Sequence, residues 1–180
     1  ADNTSAENHT TIFTIAESPL DENTIWVGTD DGNLQLTRDG GKSWTNTSLN
    51  INGTGIPAQT WVSSIEPSHV NKEIVFATFD NHMYGDHNTY AAKSTDGGKT
   101  WKAFSSKEFS GFAHKIIEDP INPNLLFIGT EMGLFASVNA GKDWFRMKNN
   151  IPWYALVRDI KIHPTTNDLL IATHGRGIMI

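Results

Sequence analysis

Cysteine is absent from the 180 residues, so neither a disulfide nor a thiolate metal centre holds this chain together. No apolar run approaches the roughly 18 residues that cross a bilayer as a helix, and no membrane span is expected. No stretch repeats its apolar residues every 3.6 positions, so almost no helix is expected either. Basic charge is scarce. Fourteen Lys and Arg against 20 Asp and Glu leave a formal net charge of −6, the wrong sign for a surface that tracks phosphates, and nucleic acid is not an expected partner. The chain opens Ala1-Asp2 without Met or a basic leader. That is the pattern of an exported protein after cleavage, or of an excised segment. With the lack of cysteine it fits a periplasmic or secreted bacterial location.

Aromatic residues are plentiful: six Trp, nine Phe and three Tyr. Aromatic bulk must do the work that disulfides do elsewhere. Hydrophobic residues make up 38% and charged residues 19%, an ordinary globular composition rather than a disordered one. Asn3, Asn8, Asn46 and Asn52 each begin an Asn-x-Ser/Thr sequon. Chance accounts for these in a chain rich in Asn, Ser and Thr.

The sequence repeats. TRDGGKSW (37–44), STDGGKTW (94–101) and SVNAGKDW (137–144) share an acceptor side chain, a Gly two positions on, a Lys and a closing Trp. These are Asp39, Gly41 and Trp44; Asp96, Gly98 and Trp101; and Asn139, Gly141 and Trp144. Apolar β-rich runs precede them at 24–29, 73–78 and 125–130, with a fourth at 169–174. Earlier still come short strands ending at Pro19, Pro67, Pro120 and Pro164, spaced 48, 53 and 44 residues apart. That period suits four-stranded antiparallel blades of a β-propeller. Strands are expected at 12–16, 24–29, 33–37 and 43–47, then at 61–65, 73–79, 90–95 and 100–104. A third set falls at 113–118, 125–130, 133–138 and 143–147, and a fourth at 157–162, 168–173 and 177–180. The fold class is therefore all-β: about 3.5 blades over 12–180 (12–50, 61–106, 113–148 and 157–180), a partial propeller after a polar segment, 1–11.

The Asp-x-Gly-x-x-Trp element reads as a tight turn between the third and fourth strands. Its acceptor oxygen is expected to take backbone N–H groups a residue or two along. The second Gly persists in all three copies while the first becomes Ala140, so only the second position is expected to need a positive φ. Trp is expected to pack between neighbouring sheets with one N–H to satisfy. All nine residues are structural in this reading. Three turns on three blades cannot line one pocket.

These motifs resemble the Asp boxes (BNR repeats) of sialidases, sortilin-type propellers and xyloglucan-cleaving propeller hydrolases. The run 65–101, and 119–144 with 158–178, is similar to large bacterial BNR-repeat proteins labelled sortilin-like glycosyl hydrolases. The resemblance covers 12–180. It implies the propeller fold, a glycosyl hydrolase-like label, and a protein, peptide or carbohydrate ligand.

The chemistry behind that label is thin. A sialidase needs three Arg around a carboxylate. The chain has only Arg38, Arg146, Arg158 and Arg176, and the first two belong to the repeat turns at the blade rim. A glycosidase needs two carboxylates about 5–10 Å apart. Glu66, Asp80, Glu118, Asp119, Glu131 and Asp159 fall near the ends of inner strands, and no pair stands out. No catalytic set and no cofactor is assigned. The insertion 79–90 carries His82, Asp86 and His87, residue types that bind ligands and metals, but the spacing does not specify a metal site. THGRGI (173–178) places His174 and Arg176 among glycines that let a ligand approach the backbone. Trp61, Trp153 and Tyr154 are of a kind that stacks on sugars or fills gaps between blades.

Three and a fraction blades leave sheet edges open unless the ring is completed. Residues 1–11 are too polar for a good strand. A homo-oligomer of two copies would give seven or eight blades. The other expectation is that the chain is one part of a larger propeller.

Overall fold

The structure, a computed structural model, describes residues 10–148, 151–152 and 154–180. Four antiparallel sheets follow one another along the chain. Blade 1 contains β1 (Ile12–Ser18), β2 (Asp21–Thr29), β3 (Leu34–Thr37) and β4 (Thr45–Asn46). Blade 2 contains β5 (Trp61–Pro67), β6 (Val75–Asp80), β7 (Tyr90–Ser94) and β8 (Lys102–Ala103). Blade 3 contains β9 (Ala113–Glu118), β10 (Leu126–Thr130), β11 (Gly133–Ser137) and β12 (Phe145–Arg146). Blade 4 contains β13 (Val157–Ile162), β14 (Leu169–Thr173) and β15 (Ile178–Met179). Each sheet is a meander in sequence order. Helix among the described residues is limited to 3-10 turns at Ser48–Ile51 and His82–Tyr84. The first strands β1, β5, β9 and β13 lie side by side as the inner wall of the fan.

Three apolar clusters, each sandwiched between consecutive blades, make up the core. Strand alternation explains them, because successive residues of a strand face opposite neighbours. Trp26, Phe76 and Phe127 occupy the same register position and face the next blade. Val75 and Leu126 sit one residue earlier and face the previous blade.

The tightest approach lies where the second strand of one blade meets the first strand of the next. A Cβ on Gly28 would come within 2.6 Å of Val62 Cγ1, and one on Gly129 within 2.6 Å of Val157 Cγ1. The equivalent residue of blade 2 is Thr78, and the register places the small Ala113 of blade 3 where Val62 and Val157 stand in blades 2 and 4. Large faces small at all three junctions.

The repeat turns differ from expectation in two respects. The acceptor reaches four residues, not one or two: Asp39 accepts from Ser43 N (2.9 Å) and Oγ (2.6 Å), and Asp96 from Thr100 N (2.8 Å) and Oγ1 (2.6 Å). These bonds hold both carboxyls at about 2, below the usual carboxylate range. Asn139 accepts from Asp143 N (2.9 Å) but donates through Nδ2 to Asp143 Oδ2 (2.8 Å), so the side-chain pair keeps its bond with its polarity reversed. The hydroxyls of Thr37, Ser94 and Ser137, two residues earlier, complete each turn by accepting from the N–H of Gly41, Gly98 and Gly141. The second correction concerns the first Gly position. It too is left-handed in every copy, at φ 70° for Gly40, 69° for Gly97 and 59° for Ala140. Ala140 carries that strain because the hydrogen bonds of the turn over-determine it.

The closing Trp residues pack backwards. Trp101 meets Trp26 of blade 1 edge-on at 6.3 Å, and Trp144 meets Phe104 of the second repeat at 5.3 Å. Trp144 Nε1 donates to Gly141 O (3.2 Å), whereas the buried Trp101 Nε1 has no partner. Trp44 belongs to the first of the described blades and is exposed.

Two stability outcomes follow from this packing. Ala140→Gly should raise stability by about 1 kcal/mol; a urea midpoint that stays level or falls would contradict the strain assigned to that turn. Gly129→Ala should cost about 1–3 kcal/mol by overpacking. Combined with Val157→Ala, it should cost less than the two single changes added together, measured as a double-mutant cycle in urea.

A candidate ligand site at the axial end of the blades

Each inner strand carries one extra residue near its start. The pairing of β1 with β2 slips between Ile12 and Thr14, and that of β5 with β6 between Val62 and Ser64. The β9 and β13 ladders slip at the equivalent place. The extra residues are Phe13, Ser63, His114 and Arg158. A bulge re-aims its side chain out of the alternating pattern. All four line one cleft of about 480 Å³ at the axial end of the fan. Four blades thus each contribute the same position to a common site.

The loop after β6 closes one side. Asp80 ends that strand and accepts from His82 N (2.9 Å) and His82 Nδ1 (2.7 Å), which turns the imidazole into the cleft. The ring stacks on Phe112 at 4.9 Å, and Phe112 meets His114 edge-on at 5.0 Å. On the other side Trp61 lies 6.0 Å from His82 and takes Phe13 edge-on at 4.6 Å. The result is a continuous aromatic ladder in which the rings pack on one another.

Two buried nitrogens in this wall have no hydrogen bond: Trp61 Nε1 and His114 Nε2. His114 is 8% exposed. Burial holds its imidazole well below the ordinary value of 6.5, at about 4, and the charges of Arg158 and His82 push the same way. It is neutral at pH 7. Arg158 forms no ion pair among the described residues, while its neighbour Asp159 accepts from Ile160 N (2.9 Å) and lies 3.6 Å from Lys115 Nζ. The cleft therefore offers a free guanidinium at its rim and two unsatisfied ring nitrogens in its wall.

The site residues read from the sequence are dispersed. His82 lines this cleft. Asp86 is bound within its own loop, accepting from Asn81 Nδ2 (3.0 Å), Tyr90 OH (2.8 Å) and Asn88 Nδ2 (2.8 Å). His87 lies 3.5 Å from Glu131 and, with Asp86, lines a separate, wider crevice. Among the described residues no three His, Asp or Glu side chains converge as metal ligands. His174 and Arg176 sit on the exposed β14–β15 turn, outside both clefts. Of the aromatics, Trp61 is in the cleft, Tyr154 is exposed beneath the Arg146 guanidinium (5.9 Å), and Trp153 lies outside the described residues. His114 and Phe13 carry no motif and escaped sequence reasoning. Their signal was a break in strand alternation near the start of each inner strand, at the second residue of β1, β9 and β13 and the third of β5.

The candidate carboxylates are all engaged. Glu118, buried between blades and raised by burial, accepts from Ser68 Oγ (2.8 Å) and His69 N (2.8 Å). Glu66 takes His69 Nε2 at 3.3 Å, an interaction that raises the imidazole, and Asp119 accepts from Ile121 N and Asn122 N. These clasp loops and adjoining blades together.

No family model matches the sequence, and no curated protein matches it either. Solved structures match the fold. A GH74 enzyme of Niastella koreensis superposes with a TM-score of 0.71 at 18% identity, over 94% of this chain and 28% of that one. YCF48 bound to D1 peptide gives 0.63 at 16%, over 91% and 48%. A nidogen/laminin complex gives 0.67 at 12%, over 92% and 57%. The chain is a run of β-propeller blades. It spans about a quarter to just over half of the matched chains, and at these identities the likeness speaks for the fold alone.

The neutral imidazole sets an expected pH dependence. Because the folded value of His114 lies below the unfolded one, the unfolded chain binds more protons between pH 6.5 and 4. Stability is thus intact above that window and lost as pH falls through it, by up to about 3 kcal/mol. Urea midpoints across this range should fall more steeply for the wild type than for His114→Gln, and parallel curves would refute the assignment.

Proposed function

We propose that this chain is the ligand-binding part of an exported Asp-box propeller of the sortilin-like kind, and that it holds a peptide segment of a partner protein in the axial cleft without cleaving it. The observation that carries this reading is the pair of buried, unpartnered nitrogens, Trp61 Nε1 and His114 Nε2, in the wall beside the unpaired Arg158. An unsatisfied buried polar group costs about 1–3 kcal/mol, a cost a ligand removes by supplying the partner. Peptides carry regularly spaced backbone carbonyls and, at acidic residues or a free C-terminus, a carboxylate that suits a guanidinium. The aromatic ladder favours peptide over glycan, since its rings cover one another instead of presenting an open flat face. The engagement of every candidate carboxylate favours binding over hydrolysis.

An array of 12-residue peptides, with and without acidic residues, tests the proposal. Acidic peptides should bind, and Arg158→Ala should weaken them about tenfold, equivalent to one charge-assisted hydrogen bond. Binding or cleavage of xyloglucan or sialylated oligosaccharides, with no peptide bound, would replace this reading with a carbohydrate-active one.

A further inference from the structure

Among the described residues no blade covers the backward face of blade 1, and the internal junctions show what covers such a face. The register places Ile12 at the position of Val62, Ala113 and Val157, and Ile15 at that of Ile65, Ile116 and Ile160. Trp44 holds the position of Trp101 and Trp144. Ile12 is 57% exposed, Ile15 64% and Trp44 46%, whereas every one of their counterparts is 9% or less. The same side-chain types are buried in blades 2 and 3 because another blade lies against them.

The covering blade is specified by size. At each internal junction the residue in Ile12's place faces one residue of the preceding second strand: Val62 faces Gly28, Val157 faces Gly129, and by register Ala113 stands opposite Thr78. Valine tolerates only glycine there, and a side chain is accommodated only opposite alanine. Ile12 is larger than either valine. The residue of this chain's own blade 4 at the glycine position is Ala172, so a second copy stacked head to tail would set a Cβ against an isoleucine.

We infer that the backward face of blade 1 docks another four-stranded propeller blade with glycine at the position of Gly28 and Gly129 and a large apolar residue at that of Trp26 and Phe127. Ala172 makes a second copy of this chain the poorer fit to that face. The dry core of the junction is Ile12, Ile15 and Trp44 on one side and those two residues on the other, continuing the packing already present at the three internal junctions.

The chain supplies its own probe. Ala172→Gly converts blade 4 into a glycine-bearing blade, with Leu170 at the large apolar position. Ile12→Ala relieves the same contact from the other side, at an exposed residue whose replacement leaves the fold intact. Sedimentation velocity should show the wild type as a monomer and each variant self-associating about tenfold or more tightly, with Ile15→Lys returning both to monomers. Wild-type association as strong as that of the variants would overturn the inference, and so would variants that, folded by circular dichroism, stay monomeric.

Discussion

Everything in this molecule depends on how closely the second strand of one blade can approach the first strand of the next. The apolar clusters lie between sheets, so no sheet has a core of its own. Burial worth roughly 25 cal/mol per Å² of apolar surface is available only when two blades meet. The glycines at 28 and 129, with the Thr78–Ala113 exchange at the middle junction, set that distance. The large residues beside them, Trp26, Phe76 and Phe127, then fill the space that remains.

The axial cleft is a by-product of this stacking. Once the first strands are held side by side, a bulge at the same position in each turns four unrelated side chains toward one point. The scaffold repeats while the four residues differ: an aromatic ring, a hydroxyl, an imidazole and a guanidinium. Ser63 shows how scaffold and site share these positions, since it lines the cleft while its hydroxyl bonds Ala113 O across the junction (2.7 Å). The repeat turns lie elsewhere. Their acceptor side chains are taken up by main-chain and hydroxyl donors of the turn itself.

Much of the fold was legible beforehand because its signals are local. The apolar β-rich runs, the prolines that end the first strands and the turn glycines each act within a few residues, and the strands formed close to where they were expected. Ala140 misled because substitution pattern was taken as conformation: an alanine is held at φ 59° in a turn whose Gly141 N–H donates to the Ser137 hydroxyl, which lies outside the six-residue motif. The candidate site was less legible. His82 stood out through its irregular loop, but Asp86 and His87 turned to other partners, and His174 and Arg176 stayed on an exposed turn.

By itself, then, the sequence determined the blades: their period, their strand order and the chemistry of their turns, since each follows from steric and hydrogen-bonding rules that operate over a handful of residues. Tertiary structure alone decided which residues share a cleft. His114 and Arg158 lie 44 positions apart, and nothing local ties them together. They meet because equivalent bulges on adjacent inner strands point to one axis, and that axis exists only after the blades have packed. The burial that leaves the His114 nitrogen unpartnered, and the exposure that leaves Trp44 bare, likewise belong to the stacked blades and to no single repeat.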